Sequence, residues 1–99
     1  MNATKVSDLT AVSVAEYLRL VDPDTTDTNT LTTLLGVAKD YITQYTGKTL
    51  EQLDDYQDMI IAVLVLCQDM WDNRTLYVDT SNANKVVESI LNMHSGNLL

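Results

Sequence analysis

The residues that could take part in catalysis are few and far apart along the chain. There is one histidine, His94, and one cysteine, Cys67. Cys67 lies inside an apolar run, where a free thiol usually behaves as a small hydrophobic side chain. His94 lies near the predicted end of a helix, where an imidazolium interacts favourably with the helix dipole. We therefore expect both side chains to be structural, because a general base or an activated thiol needs neighbours that tune its pKa.

The carboxylates could bind a metal, but their spacing favours simpler roles. Asp54, Asp55 and Asp58 fall where a helix is predicted to begin, and negative side chains stabilise that end of a helix. The acidic stretch 22–29 lacks the central glycine and the final glutamate of a calcium loop. The sequence has no zinc-type Cys/His spacing, phosphate-binding glycine loop or nucleophile elbow. It thus predicts no catalytic, cofactor or metal site, and a protein that is not an enzyme.

The charge balance argues against nucleic acid and membranes as direct partners. Six basic residues stand against fourteen acidic ones, for a net charge of −8, so phosphate backbones and anionic lipids would repel the chain. The longest apolar run, 59–67, is far shorter than the roughly 20 residues needed to cross a bilayer. Residues 1–10 lack the features of a secretion signal, and a single cysteine excludes an intrachain disulfide. We expect synthesis in a reducing cytoplasm.

The elements that would position these residues are helices, because apolar residues recur at steps of three and four. The first predicted helix begins near Ser13, which would form a capping box with Glu16, and it ends before Pro23. The polar stretch 22–29 is predicted to be a loop. The fold class is therefore all-α: a small bundle of about four helices in a single domain over 1–99. It has a short N-terminal helix, two long central helices and one C-terminal helix, with an irregular arm before the last.

The second helix has the clearest pattern in the sequence. It is predicted from about Thr28 or Thr30 to Thr46, and Gly47 supplies its left-handed cap. Thr49 is then expected to cap a short turn over 50–53.

The third helix, from about Asp55 to Asn73 or Arg74, is apolar on nearly every side. A helix of this kind is surrounded by protein. Since a domain this small offers few neighbours, we infer that one face of this helix packs against another subunit.

The C-terminal part has weaker signals. Residues 72–82 show no helical period and would form the arm, and the last helix is predicted from about Ser81 or Asn82 to His94. Residues 1–12 and 95–99 are expected to be flexible tails. The tail ends in Leu98 and Leu99, which either fold back or meet a partner.

The order of these motifs resembles the head–tail connector (head-completion adaptor) proteins of tailed phages and prophages, once grouped as DNA-packaging proteins. A short helix contains Tyr17-Leu18-Arg19, a long helix ends in Ala38 to Gly47 with Tyr41-Ile42 and Tyr45-Thr46-Gly47, and an apolar helix closes on Trp71 followed by Asn73-Arg74. The resemblance covers about 13–75. Two features depart from the family pattern: no proline occurs over 50–58, and the part from Val78 onward lacks the usual ending with proline and arginine.

The resemblance implies a structural protein of the virion neck. Such proteins form a ring, usually of about a dozen subunits, beneath the portal protein, and a closed ring needs two different complementary patches on each subunit. The ring extends the DNA channel and docks a downstream stopper or tail-completion protein. It implies a chain that is monomeric in isolation, assembles in the host cytoplasm and lets DNA pass without specific binding.

The candidate subunit interface is an apolar, arginine-bearing segment in a strongly acidic chain. Arginine and aromatic residues are favoured at interfaces, and Arg74 would pair with a carboxylate of a neighbour. An internal salt bridge by Arg74 with core packing by Trp71 is the alternative. The predicted interface residues are Trp71, Arg74, Leu76, Tyr77, Val78, Leu98 and Leu99.

A rival interpretation from another class also follows from the charge. An acidic helical protein can act as a regulator that mimics DNA and blocks a nucleic-acid enzyme. A mimic should carry regularly spaced carboxylates on one exposed face, whereas here they are scattered over loops and helix starts.

Overall fold

The computed structural model describes residues 5–76, 78 and 85–94, and within these ranges all regular structure is helical. This confirms the all-α prediction. Four helices are of two turns or more and α3 is a single turn, and a 3-10 turn spans Val6–Asp8. Across the described ranges, every helix is too short or too polar to cross a bilayer. The α-helices are α1 Ala11–Leu18, α2 Thr25–Thr46, α3 Leu50–Leu53, α4 Asp58–Asn73 and α5 Lys85–His94.

Helix α1 begins earlier than its sequence pattern predicts, and it ends before Pro23 as predicted. Thr10 is the N-cap, and its N–H donates to Ser13 Oγ at 3.3 Å, so the predicted Ser13–Glu16 capping box is wrong. The helix ends at Leu18 because Arg19 adopts a left-handed conformation with φ 59°. The Leu20 N–H then donates to Ala15 O at 3.0 Å, which satisfies a carbonyl at the end of the helix. The helix therefore ends in a left-handed turn four residues before Pro23.

Helix α2 begins at Thr25, so the predicted loop over 22–29 is wrong for its second half. The Asp24 carboxylate accepts from Asp27 N–H at 2.7 Å and caps the helix. Threonine hydroxyls of the first turns donate to carbonyls four residues earlier, as in Thr28 to Asp24 O at 2.9 Å and Thr32 to Thr28 O at 2.9 Å. A polar stretch that resembled a loop is thus helical, because its side chains bond to the helix itself.

The cap and turn predicted after α2 are confirmed. Gly47 is left-handed with φ 71°, and its N–H donates to Thr43 O at 2.9 Å. Thr49 caps α3 by accepting from Gln52 N–H at 3.2 Å.

Helix α4 is the centre of the packing, with α1, α2, α5 and the N-terminal 3-10 turn against it. The N-terminal segment covers part of it, since Val6 and Leu9 are buried in the common core. The prediction of a flexible tail over 1–12 is therefore wrong for residues 6–12. The same contact revises the inference of surplus apolar surface: Leu66 is buried within the chain, and Ile61 is the main apolar residue of α4 left exposed.

The C-terminal elements lie partly outside the described residues. Helix α4 ends at Asn73, within the predicted limits, and α5 ends at His94 as predicted. The predicted start of α5 at Ser81 or Asn82 and the predicted tail 95–99 fall outside the described ranges. Val87 and Leu91 bury the apolar face of α5 in the core.

Candidate interaction surface

Helix α4 ends in a turn that presents an arginine beside the only tryptophan. Arg74 is left-handed with φ 55°, and the Thr75 N–H donates to Met70 O at 3.0 Å. The guanidinium carbon of Arg74 lies 5.1 Å from the centroid of the Trp71 ring. A cation at this distance from an indole face is attracted by the ring quadrupole, at about 0.5–1 kcal/mol when exposed. The stack holds the guanidinium at the surface, where no described carboxylate forms an ion pair with it.

A groove of about 240 Å³ lies next to this turn. Typical small-molecule pockets measure about 300–1,000 Å³, so the groove suits one or two side chains of a partner better than a cofactor. Helix α2 supplies its far wall. The lining residues are Thr30, Leu34, Met70, Trp71, Arg74, Thr75 and Leu76.

The structure brings three of the seven predicted interface residues together here. Trp71 and Arg74 line the groove with Leu76, whose side chain is 60% exposed. Val78 instead packs partly buried against the core. The remaining three, Tyr77, Leu98 and Leu99, lie outside the described residues. We call Trp71, Arg74 and Leu76 the end surface.

The charges around the end surface are not balanced within α4. Its C-terminal part carries Asp69 and Asp72, and its last turn has no basic residue, although the negative end of a helix favours cations. Burial raises the pKa of Asp69, and the neighbouring Asp72 raises it further. Among the described residues, the ion pair found joins His94 to Asp58, so the alternative of an internal salt bridge by Arg74 finds no described carboxylate in contact.

Cys67 occupies the interior of the bundle. Its side chain is fully buried, and burial raises the pKa of the thiol to about 12. A thiolate is the reactive form of cysteine, and this one is strongly disfavoured.

His94 joins α5 to the start of α4. Its Nε2 lies 2.9 Å from Asp58 Oδ2, and its ring stacks on Tyr56 with centroids 4.0 Å apart. A second hydrogen bond, which Tyr45 OH donates to Asn92 Oδ1 at 2.7 Å, links α5 to α2. Asp–His pairs occur in catalytic triads, but a triad also needs a nucleophile in contact with the imidazole, and the described contacts of this ring are Asp58 and Tyr56. The pair therefore acts as a clamp between helices.

This clamp is the cluster that the sequence analysis missed. The sequence pointed to the helix dipole for both ends: Asp58 at the start of one helix and His94 at the end of another. The connection between these two helices, over 74–84, is too long to fix their relative direction from the sequence, because only short connections favour antiparallel neighbours. No local signal in the sequence therefore pairs the end of the last helix with the start of the third.

Within the described residues, no group of three or more His, Cys, Asp or Glu side chains is arranged to hold a metal ion. Comparison of the chain with protein-family models, with curated proteins and with solved structures found no match. The connector resemblance thus depends on the motifs in the chain itself.

Proposed function

We propose that this protein is a virion-assembly protein: a ring-forming head–tail connector that binds below the portal, extends the DNA channel and docks the next head-completion or tail protein. In this role it catalyses no reaction, and it acts by binding other proteins through its surfaces. The order of motifs over 13–75 is what suggests the family.

The observation that carries the proposal is the end surface. Trp71 and Leu76 present apolar area beside a groove, and Arg74 adds a cation held over an indole. Apolar contacts with an embedded arginine are the composition favoured at the centre of protein–protein interfaces. In a chain of net charge −8, such a site suits a partner that offers apolar and acidic groups.

The net charge supports the role in the channel. A wall of acidic residues repels DNA phosphates, so a ring of these subunits would let DNA slide through without holding it.

The decisive experiment is light scattering after size-exclusion chromatography, on the chain alone and mixed with the portal protein encoded in the same genome. We expect a monomer alone and a complex with portal that carries one ring of subunits. A chain that never joins the portal, at any ratio, would contradict the proposal.

The rival function, an acidic regulator that mimics DNA, is favoured by the net charge alone. The described carboxylates are spread over the N-terminal 3-10 turn, the loop after α1 and all five α-helices, and not gathered in one segment. Affinity capture from host extract distinguishes the two functions: recovery of a nuclease or polymerase without portal would support the mimic.

A further inference from the structure

Three residues other than glycine have positive φ among the described residues: Arg19 at 59°, Asp22 at 48° and Arg74 at 55°. L-residues pay a steric cost in this region, which glycine avoids. Left-handed residues of this kind often mark functional sites, where the side chain has a role that glycine could not fill.

The two arginines occupy the same structural position. Each follows the last residue of a helix, and in each turn the next N–H donates to a carbonyl five residues earlier at 3.0 Å: Leu20 to Ala15 O and Thr75 to Met70 O. Glycine is the usual residue at this point of the motif. The chain instead places a guanidinium there twice, at the edges of two separate surfaces.

The first surface is the loop after α1, which we call the loop surface: Arg19, Val21 and Asp22. Val21 is 88% exposed, the highest value among the exposed large hydrophobic residues. It stands between a cation and an anion, and no described residue forms an ion pair with Arg19 or Asp22. The loop surface thus presents an apolar side chain with a charge on either side.

The second surface is the end surface, which complements the first. It offers an apolar groove for one or two side chains, with the Arg74 cation at its rim. Insertion of Val21 into the groove would bring the neighbouring Asp22 carboxylate toward the Arg74 cation.

The two surfaces face away from each other across α2. Thr28 lines a small cleft with Leu20 and Pro23, beside the loop surface, whereas Thr30 and Leu34 line the groove of the end surface. Residues two apart on a helix point about 160° apart, and residues six apart about 120° apart. One molecule therefore cannot bring its own two surfaces together, but two molecules can.

We propose that the loop surface of one copy docks into the end surface of the next, head to tail, with Val21 in the groove and Asp22 paired to Arg74. The occupant of the groove is thus a second copy of this chain. This contact deepens the proposed function, on which it rests, because it supplies the two different patches that a ring requires.

Cysteine crosslinking in the full chain tests the contact. Val21→Cys and Leu76→Cys chains are prepared separately, treated with a short bismaleimide alone and mixed, and examined over a concentration series and on portal. We expect covalent dimers in the mixture and none in either variant alone, because a head-to-tail contact joins position 21 only to position 76. The wild-type chain, which keeps the buried Cys67, is the control for that thiol.

Each outcome has one meaning. Dimers formed by either variant alone, or no mixed dimers both in solution and on portal, would overturn the contact. Portal binding without mixed crosslinks overturns the contact and leaves the proposed function standing. Mixed crosslinks in a chain that ignores portal uphold the contact and remove the proposed function.

Charge and backbone variants separate association from folding. Asp22→Asn keeps a residue that tolerates the left-handed region and removes the charge, so we expect crosslinking to fall about tenfold or more, as for a docked charge pair. Asp40→Asn, an equal change at an exposed site farther along α2, should leave it unchanged. Arg74→Gly should keep or raise Tm, since glycine relieves the strain, yet lower crosslinking. Unchanged crosslinking in Asp22→Asn and Arg74→Gly would overturn the charge pairing.

Discussion

The bond between Ser7 and Asp54 is a single-residue device that fastens the N-terminal segment. Ser7 Oγ and N–H donate to the two carboxylate oxygens of Asp54 at 2.7 and 2.9 Å. These bonds favour the charged carboxylate, and they lower the pKa of Asp54 below its ordinary 3.8, with the hydroxyl bond as the largest cause.

A lowered pKa in the folded state predicts the direction of the pH effect. The stabilisation is present above about 3.8, the unfolded value, and is lost as the pH falls through the folded value. We expect Asp54→Asn to lower Tm at neutral pH and to flatten the decline of Tm below pH 3.8. Thermal unfolding followed by circular dichroism measures this, with Asp55→Asn at the exposed neighbour as control. Equal pH profiles for wild type and Asp54→Asn would contradict it.

Cys67 gives a second prediction at this scale. Because burial raises the pKa of the thiol to about 12, the folded chain should react with a disulfide reagent at pH 8 only as fast as it unfolds. The reaction rate should rise steeply through the unfolding transition in urea. Rapid labelling of the native chain would show that the interior around this residue is open.

At the scale of elements, α5 depends on polar clamps as well as on its short apolar face. The His94–Asp58 pair and the Tyr45–Asn92 bond attach it to α4 and α2. We expect a double-mutant cycle of His94→Ala and Asp58→Ala to give a coupling free energy of about 1 kcal/mol in urea unfolding at pH 6. Asn92→Ala with Asp58→Ala should be additive. Additivity of the His94 and Asp58 variants would mean that the clamp does not hold α5.

The sequence predicts an element well when one local signal has no competitor. Gly47 has no rival as the cap of α2, and Thr49 caps α3 as expected. At α1 and at the start of α2, several Ser, Thr and Asp residues could each serve as N-cap. The local pattern alone does not choose among them, and both helices begin a few residues before their predicted starts, at Ala11 and Thr25.

At the scale of the molecule, the apolar character of α4 predicted that protein surrounds it, but not which protein. The cover is supplied in part by Val6 and Leu9, from a segment whose few apolar residues carry no helical period. The sequence likewise predicts only part of the end surface. Trp71 and Arg74 were recognisable from their types, whereas Thr30 and Leu34 join the groove through a contact between distant parts of the chain.

The N-terminal cover can be tested by truncating one side chain. Leu9 is 2% exposed, so Leu9→Ala should lower the free energy of unfolding by about 2–5 kcal/mol. Val12→Ala, three residues on and 64% exposed, should change it by less than about 0.5 kcal/mol. Urea denaturation measures both, and a small effect at Leu9 would mean that the segment is dispensable.

The placement of two unlike surfaces across α2 has a geometric consequence. A head-to-tail contact does not limit the number of copies by itself, because every added copy leaves one of its two surfaces free to bind the next. Whether such a series closes or runs on as a filament depends on the turn between successive copies. The loop surface follows α1 and the end surface follows α4, so that angle is set by how these two helices pack against α2. Any change in how α1 and α4 pack against α2 would therefore alter the curvature of an assembly built from this chain.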